Sequence, residues 1–103
     1  MKITDKKFVF EGEELTIGFG KYESTHNTAM VLVDAWERPY ATVTVNIDEC
    51  PLPESMLVCK TWSENEDLFN ELVKQEILIP TSMVIPCGYS TAVVCRLNPS
   101  YKG

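Results

Sequence analysis

The sequence predicts a single α+β domain over residues 1–103, with an antiparallel meander sheet of about six or seven strands and one amphipathic helix packed on one face. Two observations support this fold class. Apolar residues alternate with a strand-like period over most of the chain and change to a helical period in one late segment. No low-complexity or Pro/Gly/Ser-rich stretch divides the 103 residues, which favours one core.

Four strands are predicted in the first half of the chain. Three of them alternate apolar with polar residues, and one is apolar on both faces except at Asp34, which is typical of a central strand. The segments Gly12-Glu13 and Glu37-Arg38-Pro39 provide turns. Because the connections are short, we expect an antiparallel meander. The predicted strands are residues 7–11, 15–20, 29–36 and 40–47.

The second half contains the predicted helix. Pro51 and Pro53 cannot continue a strand, so residues 48–54 should form an exposed connection. The segment Ser63-Glu64-Asn65-Glu66 has the form of a capping box, in which the Ser63 side chain accepts from the amide three residues on. Apolar residues after it fall on one arc of the helix and acids opposite, so one face should pack on the sheet. The remaining extended segments are predicted at residues 56–61, 77–80, 83–85 and 91–97, the last two as a hairpin around Pro86-Cys87-Gly88.

The formal net charge of −6 is unevenly placed. Residues 48–76 contain eight acids and two bases, whereas the remainder contains seven of each. In one interpretation, acids in the first helical turn complement the helix dipole and an acidic face keeps the protein in solution. In the other, they form a negative patch that attracts a basic surface. The candidate partner-binding acids are Asp48, Glu49, Glu54, Glu64, Asp67 and Glu71.

Two aromatic residues join these acids as candidate partner-binding residues. Trp36 and Tyr40 flank the predicted turn at Glu37-Arg38-Pro39. Large aromatic side chains beside turns either close the rim of a core or anchor an interface. The sequence leaves both alternatives open.

Catalytic and metal sites find no support in the sequence. His26, the only histidine, lies in a polar loop where we expect exposure. Asp34 could have a raised pKa, yet no second acid is placed beside it by the sequence. The four cysteines are separated by 9, 28 and 8 positions, unlike the paired ligands of zinc sites. We therefore predict free thiols, no catalytic residue, no metal and no cofactor.

The charge and hydropathy also bear on partners and location. A phosphate backbone favours lysine and arginine, so the acidic balance argues against direct binding of nucleic acid. The longest apolar run, residues 29–33, is far below the roughly 20 residues that a membrane helix requires. No signal-peptide pattern precedes the first strand. We expect a cytoplasmic protein with no membrane contact.

The segment Lys60-Thr61-Trp62-Ser63-Glu64-Asn65-Glu66, followed by Leu68, Leu72 and Val73, resembles a family of small uncharacterised proteins encoded on conjugative elements and phages of gut bacteria. The stretch 41–47 is also similar. The resemblance implies a location in a bacterial host cell and, since small acidic proteins of mobile elements often occupy the DNA-binding surfaces of defence enzymes, an anti-defence or anti-CRISPR role. The family has no assigned catalytic residues.

Two functional hypotheses follow. The first is a non-enzymatic protein-binding module of a mobile genetic element, which inhibits or modulates a host protein through the acidic patch. That partner would have a basic surface, as a CRISPR or restriction nuclease does. The second is an accessory or assembly protein that forms a homodimer through a sheet edge.

Overall fold

Seven strands and one α-helix make up the computed structural model, which describes residues 2–48 and 50–102. The α+β class is confirmed, but the prediction of one meander is wrong. The strands form a four-stranded sheet in the order β1-β2-β3-β4 and a three-stranded sheet in the order β5-β7-β6, with all pairs antiparallel. The elements are β1 (Lys2–Phe10), β2 (Glu13–Lys21), β3 (Thr28–Val33), β4 (Pro39–Thr42), β5 (Met56–Cys59), α1 (Asn65–Lys74), β6 (Leu78–Cys87), β7 (Ser90–Leu97) and a 3₁₀ helix at Pro99–Tyr101.

The division into two sheets occurs within the predicted strand 40–47. Only Pro39–Thr42 pairs with β3, because the chain changes partner at Val43. The Val43 amide donates to the carbonyl of Met30 (2.9 Å), while its carbonyl accepts from the amide of Lys60 (2.9 Å) beyond β5. Thr44 then bridges to Cys59. Residues 43–45 therefore connect the two sheets, and the strand ends early.

One hydrophobic core is shared by both sheets and the helix. The buried side of α1 contributes Leu68 and Leu72. Two side-chain amides attach the helix to the two outer strands of the four-stranded sheet: Asn65 donates to the carbonyl of Thr42 (2.9 Å), and Gln75 donates to the carbonyl of Val9 (3.0 Å). The strand residues of the core are Phe8, Phe10, Leu15, Ile17, Met30, Leu32, Leu57, Cys59, Leu78 and Cys95.

The predicted capping box is absent. Ser63 has a φ of 55° and Glu64 occupies the cap position without a side-chain hydrogen bond. An N-cap residue needs extended backbone to turn its side chain onto the first amides, which the left-handed Ser63 does not have. The helix begins instead at Asn65, whose buried amide bonds to the distant β4 carbonyl. A long-range hydrogen bond has replaced the local one.

The two outermost hairpins contain the same irregularity. Between Ile3 and Lys7, four steps along β1 oppose two along β2, and the same shift occurs in β6 between Pro80 and Val84. In each bulge a threonine hydroxyl donates to a carbonyl across the hairpin and accepts the amide two residues on. The Thr4 hydroxyl donates to the carbonyl of Ile17 and the Thr81 hydroxyl to the carbonyl of Val94, both at 2.7 Å. The Lys6 amide donates to Thr4 and the Met83 amide to Thr81, both at 3.1 Å.

These bulges lie on the outer strands β1 and β6. Bulges, lysines and prolines are features with which natural sheets prevent edge-to-edge pairing. β1 has lysines at positions 2, 6 and 7, and β6 has Pro80 and Pro86, which lack an N–H to donate. The edges formed by β1 and β6 thus offer poor templates for a second copy.

Candidate functional site

A tight loop follows β3 and contains Trp36, the more exposed of the two tryptophans. The Asp34 carboxylate accepts from the amides of Arg38 and Trp36, both at 2.9 Å, and from the Arg38 guanidinium at 2.8 Å. The Arg38 amide, followed by the Trp36 amide and the guanidinium, lowers the pKa of Asp34 below its ordinary value. This is the opposite of the raised pKa that a catalytic acid would need. Asp34 shapes the loop.

Both candidate aromatic residues are exposed at this end of the sheet. Trp36 is 75% exposed, and the Arg38 guanidinium lies 5.0 Å from its ring centroid. Tyr40 is 41% exposed. It has no partner on β3, because Leu32 opposes Ala41 and Val33 opposes Pro39, which makes Tyr40 a bulge residue. Both side chains are therefore exposed and lie outside the buried core.

Two acids from outside residues 48–76, Glu11 and Glu13, lie near Tyr40. Partial burial raises the pKa of the Tyr40 hydroxyl, and the negative charges of Glu13 and then Glu11 raise it further. Glu11 and Gly12 both have positive φ, 51° and 78°, as a tight hairpin turn requires. We call the surface formed by Trp36, Tyr40, Glu11 and Glu13 the aromatic–acidic tip.

The helix acids lie at different distances from this tip. Glu64 and Asp67 are exposed on α1. Glu71 is half-buried, and its carboxylate accepts from the Gln75 amide (2.9 Å), which also donates to Val9 on the hairpin that carries Glu11. Of the predicted helix acids, Glu71 is therefore the one that hydrogen bonds connect to the tip's hairpin.

The acidic connection is attached elsewhere. Asp48 accepts from the Ser24 hydroxyl (3.2 Å), and the Glu54 carbonyl accepts from Thr28 at the start of β3 (2.9 Å). Glu49 lies outside the described residues. Thr28 opposes Lys21 whereas Val9 opposes Glu14, and these two β2 residues are about 23 Å apart at the usual strand rise. The connection and the helix C-terminus are thus fixed at opposite ends of the four-stranded sheet.

Metal-binding clusters are not present in the part of the chain that the structure describes: no three His, Cys, Asp or Glu side chains lie together. His26 is exposed in its loop with a φ of 61°. All four cysteines are free thiols, with Cys59 and Cys95 buried and Cys50 and Cys87 half-buried. The hydrogen bond with the neighbouring Cys95 thiol, together with burial, raises the pKa of the Cys59 thiol well above its ordinary value.

This arrangement predicts the reactivity of the thiols. Iodoacetamide must reach the thiolate, and Cys59 and Cys95 have no exposed surface. Native protein should therefore be labelled at Cys50 and Cys87, while Cys59 and Cys95 should react only after unfolding. Mass spectrometry of digested peptides at successive times measures each site. In denaturant all four should react at similar rates, and fast labelling of Cys59 in native protein would contradict the buried assignment.

Comparison with protein-family models, with curated proteins and with solved structures found no match for this chain. Within residues 2–48 and 50–102, no helix is both long and apolar enough to cross a membrane. The geometry defines the class as an α+β protein of two antiparallel sheets with exposed aromatic and acidic groups at one end.

Proposed function

We propose that the chain is a non-enzymatic binding module that contacts a basic surface of a protein partner through the aromatic–acidic tip. The observation that carries the proposal is the exposure of Trp36, at 75%, at the end of the sheet where Tyr40 lies near two carboxylates. Interfaces gain most of their energy from a few aromatic and arginine anchors, and surrounding charges guide the encounter. Glu71 extends the acidic surface onto the helix.

The resemblance to small proteins of conjugative elements and phages supports a more specific proposal. The partner would be a host protein that handles nucleic acid, such as a CRISPR or restriction nuclease, and the module would inhibit or modulate it in a bacterial cytoplasm. A groove that binds phosphates by charge can also accept carboxylates. The exposed acids Asp48, Glu64 and Asp67, with Glu54, would add longer-range attraction to such a groove.

Inhibition of DNA cleavage by a panel of purified Cas9-type and restriction nucleases tests this proposal. We expect at least one nuclease to be inhibited, and Trp36→Ala to weaken inhibition by about 30-fold or more, as is typical of a central aromatic anchor. Tyr89→Ala is the matched control, because Tyr89 is fully exposed at the turn of the β6–β7 hairpin, in the other sheet. Equal effects of the two changes, or no inhibition of any nuclease, would contradict the proposal.

A pair of charge variants locates the contact. Glu11→Gln with Glu13→Gln and Glu64→Gln with Asp67→Asn each remove two negative charges, the first from the tip and the second from the exposed helix face. If the tip is the contact, the first pair should weaken inhibition about tenfold and the second by less than about threefold. If the second pair weakens inhibition more than the first, the contact lies on the helix and not at the tip.

The hypothesis of self-association through a sheet edge gains no supporting observation. The outer strands β1 and β6 both contain bulges, and β6 adds two prolines. Such edges disfavour strand pairing between copies.

A further inference from the structure

A groove lies at the end of the four-stranded sheet opposite the aromatic–acidic tip. Its volume is about 890 Å³, and it lies between β1 and β2 on one side and the residues that follow β7 on the other. Phe19, Leu97 and Pro99 give it an apolar lining. Small-molecule sites are commonly clefts of roughly 300–1,000 Å³ with mostly apolar walls and a few convergent polar groups, so the groove has the size of such a site.

Lysines concentrate in this groove. Of the nine basic residues in the chain, four line it: Lys2, Lys6, Lys21 and Lys102. Glu54 is the one acid among the lining residues. The lining therefore has a net charge of +3, four lysines less one glutamate, so the rest of a chain with net charge −6 has −9.

None of these lysines forms an ion pair within the part of the chain that the structure describes. Among residues 2–48 and 50–102, the single ion pair within 4.0 Å joins Arg38 to Asp34 in the loop at the other end of the sheet. Four like charges around one depression raise the local concentration of anions, particularly over an apolar surface that does not screen them. The groove is thus the positive pole of an otherwise acidic molecule.

The fold fixes the positions from which the lysines extend. Lys2 opposes Phe19 of β2. The Lys6 amide donates to the Thr4 hydroxyl within the bulge, and Lys6 lines the same groove as Lys2. Lys21 ends β2. On the far wall, the Asn98 side chain donates to the carbonyl of Glu76 (2.7 Å) and accepts from the Ser100 amide (3.0 Å), so the 3₁₀ helix before Lys102 is tied to the body.

We infer that this groove binds an organic anion with an apolar body and a carboxylate or phosphate head group. The apolar body would pack on Phe19, Leu97 and Pro99, and the head group would lie among the lysine ammonium groups. Lysine is a mobile point charge that binds carboxylates and phosphates without requiring one geometry. This site is independent of the tip and of the function proposed for it.

A nucleic-acid strand fits the groove less well. Single-strand sites stack successive bases on several aromatic side chains along a positive channel, whereas Phe19 is the one aromatic ring in the described lining. The −9 charge of the remaining surface would also repel a phosphate backbone that extended beyond the groove. A compact anion meets neither obstacle.

Titration of ¹⁵N-labelled protein with 2-naphthoate, 1-naphthyl phosphate and the neutral 1-naphthalenemethanol tests the inference by NMR. We expect both anions to shift the amide resonances of residues 19–21, 97–98 and 100–102 saturably. Both should bind at least about fivefold more tightly than the neutral probe, since two or more ammonium groups face the head group. Comparison of the two anions shows whether carboxylate or phosphate is preferred.

Matched lysine variants provide the control. Lys21→Gln with Lys102→Gln should weaken binding of the anions by about five- to tenfold, and Lys60→Gln with Lys74→Gln, which removes the same charge outside the groove, by less than about twofold. Equal affinity for the neutral probe, equal losses in the two double variants, or binding of a thymidine oligonucleotide without binding of either anion would overturn the inference. The probe comparison needs only the unaltered protein, so the inference stays testable if a variant does not fold.

Discussion

Leu72→Ala is expected to lower the free energy of unfolding by about 2–5 kcal/mol, the usual range for truncation of a buried leucine. Leu72 is 0% exposed and belongs to the core that α1 shares with both sheets. Because a domain of this size has a total stability of roughly 5–15 kcal/mol, the loss removes a large share. Urea denaturation followed by far-UV circular dichroism measures it.

The same experiment tests whether the two sheets form one unit. With one shared core, amide resonances from β2 and from β7 should disappear at the same urea concentration. Asn70→Ala, at an exposed position of the same helix, is the control and should change stability by no more than about 0.5 kcal/mol. Different midpoints for the two sheets, or a cost below about 1 kcal/mol for Leu72→Ala, would contradict a core closed by the helix.

The features predicted well from the sequence are those that depend on local pattern. Alternation predicted the β1–β2 hairpin, and the change of period located the one helix. The apolar run 29–36 predicted β3, which ends three residues earlier, at Val33. In each case neighbouring residues in the sequence decide the structure, so periodicity contains the information.

The features missed depend on contacts between distant residues. The break at Val43 arises because residues 43–45 pair with both Met30 and β5, and no local signal distinguishes Val43 from its alternating neighbours. Asn65 likewise bonds to Thr42 instead of leaving the helix start to Ser63. Tertiary context overrides local propensity in both places.

The same limit applies to the sites. Counting charge along the chain directed attention to residues 48–76, yet the acids beside Tyr40 come from positions 11 and 13. The lysine groove combines positions 2, 6, 21 and 102, which are dispersed in the sequence and meet only through the pairing of β1 with β2 and the return of the chain after β7. A clustered charge in the sequence and a clustered charge on the surface are different observations.

Asn27→Ala is expected to lower the free energy of unfolding by about 2 kcal/mol, because two partly buried main-chain groups lose their hydrogen-bond partner. Asn27 is 5% exposed. Its side-chain amide donates to the carbonyl of Cys50 (2.8 Å), and its side-chain oxygen accepts from the amide of Leu52 (2.8 Å). These bonds attach the proline-containing connection to the loop before β3. Urea denaturation gives the free energy, and hydrogen exchange at Leu52 reports the local opening.

The effect should extend from the connection to the lysine groove, because the connection leads directly to Glu54 and Ser55 in the groove wall. We therefore expect Asn27→Ala to weaken binding of 2-naphthoate as well as stability. Ser24→Ala is the control, since it removes two exposed bonds, one of 3.2 Å to the same connection and one of 2.8 Å from the Asn46 side chain, and should cost no more than about 0.5 kcal/mol. If Leu52 exchanges no faster in Asn27→Ala than in Ser24→Ala, Asn27 does not hold the connection in place, and Glu54 and Ser55 are positioned by other contacts, such as the bond of Thr28 to the Glu54 carbonyl.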